Sequence, residues 1–175
     1  MRKKIATLFL AIIMSVSMLS GCGGASPEEV NAKIDEAYEN IVLSKELGDA
    51  MIGLIYDHWN EYEFECFFYE DLFEQKKRGS MGAGSFFGDA KQTFEYRDGI
   101  ETLMNASKEL LDIDKVPEEC QDYYDAVKEL YKKVDSYTTF VSEFPEGYSK
   151  ITYGQTFSEH QKEYDALVSE VEFVK

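Results

Sequence analysis

The sequence predicts an all-α protein, an up-and-down four-helix bundle with a long first helix. Three observations carry that reading. Apolar residues recur at alternating steps of three and four along four stretches, the spacing of a buried helix face. Two of those stretches open on a proline followed by two glutamates, Pro27-Glu28-Glu29 and Pro117-Glu118-Glu119, which suits a helix start. Nothing in the chain reads as a strand pair, an internal repeat or a low-complexity tract. The links between stretches are short enough to set consecutive helices antiparallel.

A signal peptide is expected ahead of the bundle. Arg2, Lys3 and Lys4 form a cationic start, Ile5 to Leu19 an apolar core, and Ser20-Gly21 the small residues a peptidase requires. That core is short for a membrane span of about 20 residues, so a permanent transmembrane helix is not expected. The stretch Leu19-Ser20-Gly21-Cys22 resembles the lipobox of bacterial lipoproteins. The resemblance implies cleavage before Cys22 and acylation of its thiol, often with a further chain on the new amino group. Each buried methylene contributes about 0.8 kcal/mol and stable anchoring takes two chains, so such an anchor would hold. The expected organisation is a signal peptide over 1–21, a lipidated tether over 22–27 and a helical domain over 28–175.

Ser26 is placed to cap the first helix. Ile34, Ile41, Gly48, Ile55, Tyr62 and Tyr69 recur every seven residues, beside Tyr38, Ile52, Trp59, Cys66 and Phe73. One stripe then reaches from about residue 28 to 77, with a kink expected near Gly48-Asp49 and Gly53. Lys76-Lys77-Arg78 and the glycines at 79, 82 and 84 end it. The second helix starts between Ser85 and Thr93, buries Tyr96, Ile100, Leu103 and Leu110, and runs to about Asp112. The third starts at Pro117 with the cleanest pattern, Cys120, Tyr123, Val127, Leu130, Val134, Tyr137, Val141 and Phe144. Pro145-Glu146-Gly147 stops it, and the fourth follows from about Ser149 with Phe157, His160, Tyr164, Leu167, Val171 and Val174.

The run from Pro117 to Glu143, with Tyr123-Tyr124, Leu130-Tyr131 and Val134, followed by Pro145-Glu146-Gly147-Tyr148-Ser149, resembles small helical lipoproteins of Gram-positive bacteria. Asp57-His58-Trp59-Asn60 fits the same pattern. Glu146 stands where that family's turn carries a small residue. The resemblance implies a fold and an address, and no activity.

The net charge is −16, and removal of the signal would make it more negative by three. A polyanionic duplex needs Lys or Arg to displace its counterions, so nucleic-acid binding is excluded. The acidity reads as a solvated coat that also repels anionic headgroups, keeping the domain off the membrane surface. Two cysteines besides Cys22 cannot make a disulfide scaffold. A level count along the helices sets Cys120 beside residues 50 to 54, far below Cys66, so both thiols are expected reduced.

His58 and His160 each have a glutamate three positions on, Glu61 and Glu163. Bundles build metal sites from such pairs, but acids are abundant here, and the same count sets His160 about ten residues above His58. Packing and surface roles are expected for both, with no metal, cofactor or haem. Asp112, Asp114, Glu118 and Glu119 lack calcium-loop spacing and read as helix-end charges. Gly82-Ala83-Gly84 lacks a preceding strand and a phosphate-binding lysine. No catalytic set is legible, so no enzyme is expected.

The first helix carries one aromatic anomaly. Phe64, Phe67 and Phe68 fall opposite the stripe of Tyr62, Cys66, Tyr69 and Phe73. Either residues 80 to 90 cover them, with Phe86 and Phe87 as partners, or they form a contact patch. The function expected from the sequence is a non-catalytic interaction or accessory lipoprotein. It would be held to the cell membrane through acylated Cys22, on the extracytoplasmic face, facing an envelope protein or glycan. A metal-binding bundle using His and acid pairs is the alternative.

Overall fold

The computed structural model describes residues 25–57, 85–142 and 149–175. The described residues form four α-helices and one short 3₁₀ turn: α1 (Pro27–Asp57), α2 (Ser85–Leu110), the turn Glu118–Cys120, α3 (Gln121–Ser142) and α4 (Lys150–Val174). The fold is all-α with a long first helix. The calls at Cys22, His58, Glu61, Phe64, Cys66, Phe67, Phe68, residues 82–84 and Pro145-Glu146-Gly147 lie outside the described residues.

The helix starts differ for a local reason. At α1, Ser26 and Glu29 form a reciprocal cap: Glu29 N donates to Ser26 Oγ at 3.2 Å and Ser26 N to Glu29 Oε2 at 2.9 Å. Pro117 was expected as a first helical residue like Pro27, but it stands in extended backbone (φ −60°, ψ 147°) as the cap of the 3₁₀ turn. No side chain there receives the free N–H groups, so the first turn tightens before α3 proper begins. At α4, Ser149 and Thr152 make a second capping box.

The helices run up, down, up and down. Ser107 on α2 donates to Ala37 O on α1. Tyr123 and Tyr137 on α3 reach Asp35 and Asp49 on α1, and Lys175 at the end of α4 returns to Asp35. Thus α1 and α3 are parallel, and α2 and α4 antiparallel to them. The densest packing is α1 on α2, then α1 on α3 and α3 on α4. One large core gathers Val30, Ile34, Ile41, Leu103, Val127, Leu130 and Val171, and a smaller one above it Met51, Ile55, Tyr137, Val141 and Tyr153.

The level count from sequence is overturned. It assumed that α2 sets out from the level of residue 78. The Ser107–Ala37 contact instead puts the start of α2 near the level of Asp57. Cys120 therefore sits beside Pro27, its Sγ 3.6 Å from Pro27 O, and not beside residues 50 to 54. The same shift sets His160 level with Asp49 rather than above residue 58, since its neighbour Gln161 bonds Asp49. The helix α1 runs continuously through Gly48 and Gly53, from Pro27 to Asp57.

Candidate functional site

The most concentrated polar chemistry lies where α1, α3 and α4 meet. The α1 stripe runs Tyr38, Ile41, Lys45, Gly48, Ile52, Ile55, so Lys45 occupies a position whose neighbours are all apolar or small. Its side chain is 4% exposed. Lys45 Nζ donates to Asp49 Oδ1 (2.8 Å) and Oδ2 (2.7 Å), and to Gln161 Oε1 (2.8 Å). Those three contacts match the three donors of an ammonium. The cation also lies 4.9 Å from the Tyr137 ring centre and 4.8 Å from that of Tyr164.

Tyr137 completes the constellation by donating its hydroxyl to Asp49 Oδ1 at 2.6 Å. Gln161 Nε2 donates to the same carboxylate at 3.1 Å. Gly48 makes room for this: a Cβ there would stand 2.7 Å from Tyr137 Cε1. Burial, with the Asp49 carboxylate beside it, pushes the Tyr137 hydroxyl far above the ordinary tyrosine range. Burial likewise pushes Tyr164 up to about 12. Tyr137 is thus held protonated, and both it and Lys45 spend their donors on neighbours. The arrangement binds α1, α3 and α4 together.

A smaller copy of the same design sits two heptads lower. Tyr123 donates to Asp35 Oδ1 at 2.7 Å, and Lys175 Nζ lies 2.8 Å from the same oxygen. Lys175 also lies over the Tyr38 and Tyr123 rings at 5.5 and 5.8 Å. Burial acts to raise the Asp35 carboxyl, but the hydrogen bonds from Lys175 and Tyr123 outweigh it and hold it below the usual range.

The described candidates from sequence fall into packing and surface roles. His160 is half-buried against α3, 5.3 Å from the Phe140 ring in a stacked pose and 5.6 Å from that of Tyr137. Its Nδ1 is buried without a hydrogen-bond partner among the described residues. Burial and then Lys133 lower its pKa, against the opposing pull of Glu163 and Glu159. Glu163, its sequence partner, instead meets Lys133 on α3 at 2.6 Å. Cys120 is buried and free, and burial raises its thiol further from the reactive thiolate. Asp112, Asp114, Glu118 and Glu119 are exposed around the α2–α3 connection. Among the described residues, no three of His, Cys, Asp and Glu come close enough to hold a metal ion. Among them, too, no helix is long and apolar enough to cross a membrane.

Sequence reasoning missed Lys45, Asp49, Gln161 and Tyr153. A signal for the first was present, because a lysine interrupts the three-four alternation of α1. Tyr153 continues the α4 stripe one step back from Phe157 and is fully buried.

Comparison with protein-family models, with curated proteins and with solved structures finds no match.

Proposed function

We propose that this chain is a membrane-anchored extracytoplasmic lipoprotein of non-catalytic type, an interaction or accessory module at the cell envelope. The observation that carries the proposal is Leu19-Ser20-Gly21-Cys22 after a cationic start and a short apolar core. Acyl chains on Cys22 hold the protein in the bilayer, and the acidic helical body stands outside it. Four residues separate Cys22 from Pro27, five Cα steps or at most about 17 Å of extended chain, so the lower end of the bundle stays close to the membrane. Exposed Glu28, Glu29, Asp112, Asp114, Glu118 and Glu119 at that end repel anionic headgroups.

Detergent phase partition of cell extracts tests the proposal. The wild-type protein is expected in the detergent phase and the processed form of Cys22→Ser in the aqueous phase. Wild type in the aqueous phase contradicts the anchor.

A further inference from the structure

The seam between α3 and α4 is open to solvent along about four turns. Two clefts, of about 490 and 270 Å³, adjoin there and share Glu129. Their floor is apolar, from Leu167 and Ala166 in the upper cleft to Ala126 and Val174 in the lower. The two halves differ in charge. In the upper cleft Lys132 and Lys133 are paired with Glu129 and Glu163. Among the described residues, the lower cleft is lined by Asp122, Asp125, Glu129 and Glu170, with no lysine or arginine in its wall.

Phe173 stands at the lower end of this seam, 90% exposed. It follows Ala166 by seven residues and Glu170 by three, so it shares their row on α4. An isolated exposed apolar residue needs no explanation. This one flanks an apolar floor and a wall on which Asp122, Asp125 and Glu170 make no ion pair among the described residues. Together they describe half of an amphipathic interface. A second copy of the chain is a poor occupant, because it brings the same carboxylates and a net charge of −16.

We propose that the α3–α4 seam docks a basic amphipathic helical segment of a partner protein. Its apolar face lies on Ala126, Ala166, Leu167 and Val174, Phe173 closes over its end, and its Lys or Arg side chains meet Asp122, Asp125 and Glu170. From Asp122 to Ser136 the seam is about 21 Å long at 1.5 Å per residue, which suits a helix of about four turns. The proposal rests on the reading of the chain as an interaction module and names its partner's chemistry. It does not depend on the lipid, so anchoring and docking fail separately.

The test uses the purified full-length protein and a photoreactive 18-residue peptide of leucine and lysine, its leucines at heptad spacing. Cross-links mapped by mass spectrometry are expected within 122–136 and 163–174. Asp125→Lys with Glu170→Lys should lower their yield at least fivefold, and Phe173→Ser, at a site too exposed to disturb the fold, at least threefold. Glu101→Lys with Glu109→Lys, a matched charge reversal on α2, should leave the yield within twofold. Cross-links scattered over the surface, equal losses from both reversals, or equal yield from a scrambled peptide of the same composition would overturn the proposal. So would protein-to-protein cross-links across the seam without peptide, which assign it to a second copy.

Discussion

Two glycines on α1 separate packing from propensity. Gly48 faces Tyr137, and a methyl group there meets the ring at 2.7 Å. Overpacking costs about 1–3 kcal/mol, against a helix-propensity gain of about 1 kcal/mol, so Gly48→Ala should destabilise. Gly53 is exposed, and a Cβ there meets nothing within 4 Å. Gly53→Ala should therefore stabilise by about 0.5–1 kcal/mol. Urea midpoints of the two variants should move in opposite directions. Lys45→Ala leaves Asp49 and Gln161 without their cation; because Asp49 is 38% exposed, the loss should fall near 2–3 kcal/mol, the low edge for breaking a buried pair.

His160 links the same junction to pH. Its pKa is lowered in the folded state by burial and by Lys133, with Lys45 adding to this and Glu163 and Glu159 opposing. The unfolded chain then takes up a proton first as pH falls. Stability is complete above about 6.5, the free histidine value, and declines as pH drops from there toward the folded value. Chemical denaturation at pH 7.5 and 5.5 should show this decline in wild type and a smaller one in His160→Phe, which keeps the ring on Phe140. An equal decline in both assigns the effect to other groups.

At the scale of helices, the register of α1 against α3 is held by the two Asp–Tyr contacts. They share one sequence separation, 88 residues, and repeat two heptads apart. Tyr137→Phe should cost about 1.5–3 kcal/mol, as for a hydrogen bond to a charged acceptor. Tyr123→Phe should cost less, because the Asp35 side chain is 44% exposed. The sites lie about 21 Å apart, so the double variant should be additive within about 0.5 kcal/mol. A double variant that loses cooperativity would mean that the helices slip. This pairing was invisible in sequence, although both tyrosines were assigned to the buried stripe. Periodicity says which face is buried; it does not say which residue of another helix meets it. The same gap explains the misplaced Cys120 and His160, whose levels depended on where α2 begins its descent.

For the molecule as a whole, the helical class, the second helix, the buried face of α3 and the start of α4 at Ser149 were legible, because each rests on local spacing and capping. The polar junction was not, since Lys45 is charged and amphipathic patterns treat charge as surface. Nor was the open α3–α4 seam, which depends on how far apart two helices sit. The anchor is a different kind of inference, resting on a short stretch of sequence and the chemistry of one thiol. The measurement that tests it most directly is the mass of the N-terminal peptide of the protein isolated from cell membranes. A peptide that begins at Cys22 and carries diacylglycerol with or without a further acyl chain is the predicted result. A peptide with an unmodified Cys22, or one that still includes Gly21, would contradict it.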